Sequence, residues 1–166
     1  MRLPRPWFRV RRSFWQSLKF AVDGLKFVVA HQRNFRIQLA FGTVVLVLSF
    51  FIDFSPVEVL WLVFAVFFVL LGEALNTVVE EMMNVIHPNH DEHVKHVKDA
   101  AAGMVLISSV FAVSVGAVVL GRHLFGWRPQ VGAAVALAFV AFSVTLGIFG
   151  EVENVARKKD SRPRNR

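Results

Sequence analysis

The stretch Glu73–Asp99, EALNTVVEEMMNVIHPNHDEHVKHVKD, decides the fold. An apolar segment, Val57 to Leu71, runs directly into it. At ~100° per residue, Glu73, Asn76, Glu80 and Asn84 fall on one helix face. Thr77 borders that stripe. A polar stripe at the end of a membrane helix is costly unless it faces a protein interior or water. The stripe therefore marks a site lined by two carboxylates and two carboxamides. After a turn at His87-Pro88-Asn89 the stretch ends in Lys98-Asp99, just before another apolar run. Carboxylates facing a lysine at a membrane edge are suitable parts for holding metal and phosphate.

Composition sets the surroundings of this stretch. Of 166 residues, 55% are hydrophobic, and the mean hydropathy is +0.51. That is too apolar for an ordinary soluble domain and implies an all-α integral membrane protein. The absence of Cys excludes a disulfide framework and thiolate chemistry. A net charge of +7 suits either a nucleic-acid binder or a membrane protein with cytoplasmic arginines. The apolar segments decide for the membrane, with no nucleic acid as partner. Residues 1–36 are basic and amphipathic and lack the apolar core and small-residue cleavage site of a secretory signal.

Four regions follow. Residues 1–12 form a basic arm, and residues 13–121 the main membrane domain. Within that domain, apolar positions from Phe14 to Val29 recur at steps of three and four, predicting an amphipathic helix along the membrane surface. A polar junction over 31–38 precedes a first span, Ile37 to Ile52, whose polar ends are needed to complete its length. A turn at Asp53–Pro56 leads to a second helix, Val57 to about Ile86. A third helix starts near His90 after an Asn89/Glu92 capping pair, and its apolar part runs from Ala100 to Leu120. Ala101, Ala102, Gly103, Ser108 and Ser109 suit close helix contacts there. Gly121 to Arg128 reads as a loop. Residues 122–150 carry an additional transmembrane helix opened by Pro129, and residues 151–166 a charged, disordered tail. Of the 19 Lys and Arg, only Arg122 and Arg128 lie on the side opposite the termini and the stretch 73–99. The termini and the polar site therefore face the cytoplasm, where ATP is available.

Two carboxylates seven residues apart on one face can divide labour. One can hold a divalent cation, and the other can accept a proton from an alcohol. Lys98 can neutralise phosphate charge. The chain contains neither GxxxxGK[ST] nor GxGxxG, so a kinase of this kind positions ATP by metal and side chains. Polar residues that merely join helices give the same periodicity. His87, His90, His93 and His96 recur every three residues. Such steps drift ~60° each around a helix, so the four cannot share a face, and a solvated segment is preferred over a transition-metal site.

The run Glu73-Ala-Leu-Asn76-Thr77-Val-Val-Glu80, followed by Lys98-Asp99-Ala-Ala-Ala-Gly103, resembles the signature of the prokaryotic diacylglycerol kinase and undecaprenol kinase family. Gln32-Arg-Asn34-Phe35-Arg36 is similar to that family's upstream junction, and the resemblance spans roughly residues 13 to 121. It implies a small membrane kinase that moves the ATP γ-phosphate to a lipid alcohol with Mg²⁺, as a homotrimer with composite sites. Undecaprenol is preferred over diacylglycerol, on the forms of the junction and of the Lys-Asp-Ala-Ala-Ala-Gly run. By the resemblance, Glu73 is the general base and Glu80 the metal carboxylate. Asn76, Asn84, Lys98 and Asp99 surround nucleotide and phosphate. Gln32 stands where the family has a second metal-binding Glu, and Asn84 where it has Asp. The fourth apolar helix and basic tail exceed the family's three-span core. The rival reading is a catalytically degenerate membrane scaffold that keeps the fold. A nucleic-acid-binding tail rests on the closing Arg/Lys run alone.

Overall fold

The computed structural model describes residues 13–87 and 92–160, with side chains through residue 146. The described residues form five helices: α1 (Phe14–His31), α2 (Arg33–Leu48), α3 (Pro56–Ile86), α4 (Glu92–Phe125) and α5 (Gln130–Asp160). The chain is all-α, as expected. α3 is central, packing against α2 and α4; α5 lies on α4 and α1 meets α2. The basic arm at 1–12, the Pro88 stop, the Asn89 cap, His90 and residues 161–166 lie outside the described residues.

α3 begins where local chemistry dictates. Pro56 occupies the first turn, where its missing N–H costs nothing. Ser55 and Glu58 form a capping box: Glu58 N donates to Ser55 Oγ at 3.3 Å, and Ser55 N donates to Glu58 Oε2 at 2.8 Å. Such a cap contributes ~1 kcal/mol. The other carboxylate oxygen, Glu58 Oε1, reaches His123 Nε2 at 3.2 Å and Arg122 Nη1 at 3.8 Å. One residue thus starts α3 and ties it to the end of α4. Beneath this clamp Phe54, Leu62 and Val119 are buried together.

Along α3 the buried positions are Leu62, Ala65, Val69, Gly72, Glu73 and Thr77. They follow helical steps of three and four, so a single face passes from apolar to polar without a break. The opposite face exposes Leu60, Phe64, Phe67 and Leu71. The most apolar windows of α3 and α4 are only 33% and 11% buried, although their mean hydropathies are 2.2 and 2.4. Core helices of a soluble protein would be largely covered; these are long enough and apolar enough to cross a bilayer.

Several boundaries differ from the sequence expectation. The junction placed at 31–38 contracts to one non-helical residue, Gln32, shared as cap by α1 and α2. Its neighbours stay helical because the carbonyls freed at the end of α1 are satisfied: Arg36 Nη1 donates to Val29 O at 3.1 Å and to Ala30 O at 2.9 Å. The first span, expected over 37–52, is helical over Arg33–Leu48. Its 16 residues span about 24 Å, short of the ~30 Å bilayer core. The loop expected from Gly121 starts at Gly126, which carries φ +66° and ends α4. Gly121 stays helical, and its missing side chain leaves room for the Trp127 ring, whose Cε3 would lie 2.5 Å from a Cβ there. The last helix continues through Asp160 rather than stopping at 150. Glu, Ala, Arg and Lys in that segment are strong helix formers, and this preference outweighs its charge.

Small residues let α3 and α4 approach closely beside the polar stripe. A Cβ on Gly72 would lie 2.7 Å from Ser108 Oγ. Of the small residues expected to mediate contacts, Ala101 and Ser108 are buried, whereas Gly103 faces open space. Gly72→Ala should therefore destabilise the fold by about 1–2 kcal/mol net of its gain in helix propensity. Adding Ser108→Ala, which removes the blocking hydroxyl, should restore part of that loss. Thermal unfolding in detergent of the single and double variants checks the pair; a double variant no more stable than Gly72→Ala would contradict this packing.

Candidate functional site

The polar continuation of the α3 stripe breaks into three hydrogen-bonded groups. Glu73 is 3% exposed, walled in by α2 and α4. Gln38 of α2 donates from Nε2 to Glu73 Oε1 at 3.0 Å. Thr77, 2% exposed, donates its hydroxyl back to the Glu73 carbonyl at 2.9 Å and so adds no unpaired polar group. One turn on, Asn76 Nδ2 donates to Glu80 Oε1 at 2.9 Å. At the helix end, Lys98 Nζ donates to Asn84 Oδ1 at 2.7 Å, bridging α3 and α4.

Among the described residues, two buried amide oxygens have no partner: Gln38 Oε1 and Asn76 Oδ1. Buried polar atoms are normally satisfied, and an orphan at a site is a place for a ligand group. A polar cavity of about 310 Å³ lies where α2, α3 and α4 meet, lined by Asn34, Gln38, Glu73, Ala102, Val105 and Ser109 among others.

The sequence-predicted residues are thus partly brought together. Glu73 stands apart from the Asn76–Glu80 pair by one turn of the same helix. Asn84 and Lys98 are joined directly. Asp99 is exposed on α4. Gln32 is half-buried at the α1–α2 break, and its side chain makes no hydrogen bond among the described residues. Gln38, absent from the sequence-predicted set, is the residue that touches Glu73. Its only signal was its place at the end of the polar run 31–38, since the contact spans 35 residues of chain.

The donors suit a small hard cation in part. Glu80 offers a carboxylate and Asn76 an unpaired buried amide oxygen on the same helix face. Mg²⁺ commonly takes one or two protein carboxylates and completes its shell with phosphate oxygens and water. Among the described residues no three His, Cys, Asp or Glu side chains converge; of the regularly spaced histidines, His90 lies outside the described residues.

Comparison with known proteins gives the same direction. The family model described as prokaryotic diacylglycerol kinase matches residues 19–120. The chain belongs to that family. It is 31% identical over 119 residues to a diacylglycerol kinase of Synechocystis sp., covering 67% of this chain and 68% of the relative. It is 32% identical over 108 residues to an undecaprenol kinase of Bacillus subtilis, covering 62% of this chain and 84% of the relative. As a member of the diacylglycerol kinase family the protein is a lipid kinase. The matched region contains every residue of the site and ends before α5.

Proposed function

We propose that this lipid kinase transfers the γ-phosphate of ATP to the hydroxyl of undecaprenol or diacylglycerol at the cytoplasmic face of the inner membrane. The observation that carries the reading is the buried Glu73 carboxylate, held by Gln38 one turn from the Asn76–Glu80 pair. The lipid oxygen attacks the γ-phosphorus, and a new O–P bond forms as the bond to the β–γ bridging oxygen breaks. ADP leaves, and the hydroxyl proton passes to the Glu73 carboxylate. Glu80 and the Asn76 amide oxygen would hold Mg²⁺, which when bound supplies charge neutralisation for the triphosphate. Gln32 adds a neutral oxygen from the α1–α2 joint.

Lys98 contributes a cation to the phosphates. Its partner Asn84 orients it without cancelling its charge, as an aspartate there would. Asp99 lies next to Lys98 at the same edge of the site. The exposed apolar faces of α3 and α4 meet lipid, and α1 lies along the membrane surface. The two further spans of this reading are α2, lengthened by the hydrogen-bonded turns through Ile52, and α5, whose apolar part is Gln130–Leu146. A homotrimer would cover the partly open polar cavity. Mass determination in mild detergent tests that assembly, and finding monomer alone would count against it.

Glu73→Gln should keep ATP binding and lower turnover by about a hundredfold or more, the usual contribution of a general base. Glu80→Gln should abolish activity, whereas Gln32→Glu should lower the Mg²⁺ concentration needed for half-maximal rate. A Mg²⁺ titration of lipid phosphorylation for these variants checks all three. If wild type phosphorylates no lipid alcohol at any Mg²⁺ and Gln32→Glu restores nothing, the degenerate scaffold replaces the kinase.

Topology yields a separate expectation from the charge distribution. Reporters fused after Arg166 and within residues 87–96 should read cytoplasmic, and one near Gly126 external. A cytoplasmic signal near Gly126 would contradict four spans.

A further inference from the structure

Gln38 lines two cavities, each of about 310 Å³. One is the polar cavity that contains Glu73. The other is an apolar groove between α2, α3 and α4, running past Gly42, Ala65, Val69 and Ala112 towards Gly116 and Leu120. Ser109 of α4 is the second polar residue common to both. From Ser109 to Leu120 the groove follows α4 for about 16 Å. A cavity holding a carboxylate, sharing Gln38 and Ser109 with an adjacent apolar groove of this length, suits an amphiphile with a single polar end.

Gln38 stands at the boundary with its two functional ends differently engaged. Its Nε2 holds Glu73 Oε1 at 3.0 Å. Its Oε1 is buried and has no hydrogen-bond partner. The partner it lacks is a donor, and a lipid alcohol brings one donor, its hydroxyl. With Glu73 Oε1 occupied by Gln38, Oε2 is the oxygen left to take the proton.

We propose that Gln38 is the substrate-positioning residue: its free carbonyl oxygen receives the acceptor's hydroxyl beside Glu73, while the acceptor's hydrocarbon chain lies in the apolar groove. The assignment rests on the kinase reading and adds to it where the lipid sits. Docking on Gln38 fixes the hydroxyl oxygen next to the base; as that oxygen attacks phosphorus, its proton turns from Gln38 to Glu73. The amide also keeps the carboxylate in one rotamer, so a single group orients both reactants. Chain length is sensed along α4. Gly116 borders the groove, and a Cβ built there meets nothing within 4 Å. A side chain at this position therefore starts into open space at the border of the groove.

The test is steady-state lipid phosphorylation by the full-length protein, with ATP and acceptor varied separately. The acceptors are geraniol, undecaprenol, dihexanoylglycerol and dioleoylglycerol. Gln38→Met, which keeps the bulk and removes both polar ends, should lower kcat/KM for the acceptor about 10- to 100-fold, the effect of one lost charge-assisted hydrogen bond. Its KM for ATP should stay that of wild type. Gln38→Glu keeps an acceptor oxygen and can share one proton with Glu73, so it should retain more activity than Gln38→Met. Gly116→Leu should raise KM for the long-chain member of each pair more than for the short one, because the short chains end before Gly116. Three outcomes overturn the assignment while leaving the kinase intact: Gln38→Met with an unchanged acceptor KM and kcat, an ATP KM that rises in step with the acceptor KM, or Gly116→Leu acting equally on both chain lengths. A wild type silent on every acceptor removes the kinase reading and this assignment with it.

Discussion

Burying Glu73 is the constraint on which the rest of the structure depends. A carboxylate taken out of water carries a desolvation cost of several kcal/mol unless it finds hydrogen-bond partners. Its nearest carboxylate, Glu80, lies on the same helix face and offers no relief. The partner is Gln38, delivered by a different helix across 35 residues of chain. α2 must therefore sit against α3 at this height, and α4 must close the remaining side. The close approach of Gly72 to Ser108, one residue from Glu73, is how that side closes. The arrangement keeps a carboxyl group buried at the end of an apolar helix, where on the proposed reading it meets the lipid hydroxyl.

The two ends of α3 do different work. At one end Glu58 satisfies the first turn and clamps α4 through His123 and Arg122. The clamp is partly exposed, so its net contribution is about 0–1 kcal/mol beyond the cap itself. At the other end the polar groups are spread over three turns, each paired in a different way. Between them the covered face of α3 is built from small and branched residues, and its outer face from Phe and Leu. The chain thus anchors its helices far from the site and leaves the site end partly open.

What was legible in the sequence was whatever a single helix determines. The stripe Glu73, Asn76, Glu80 and Asn84, the Pro56 start and the long apolar segments follow from periodicity and capping, and the structure has them. Lys98 meeting Asn84 was foreseeable only as proximity across the short segment that joins α3 to α4. Contacts set by packing were not legible. Nothing local distinguishes Gln38 from Gln32, yet Gln38 reaches Glu73 while Gln32 serves as a helix cap. Helix ends were misread where composition and conformation disagree. Gly121 resembles a helix stop but makes room for Trp127, and the charged run after 150 favours helix over coil.

Chemical modification of Glu73 tests the central claim, that this buried carboxylate is the group that meets the acceptor. The protein in detergent is treated with an apolar carbodiimide, and modified peptides are quantified by mass spectrometry beside the remaining kinase activity. The account predicts that activity falls in proportion to modification of Glu73, and that a lipid alcohol protects both. Full activity with Glu73 quantitatively modified would contradict it.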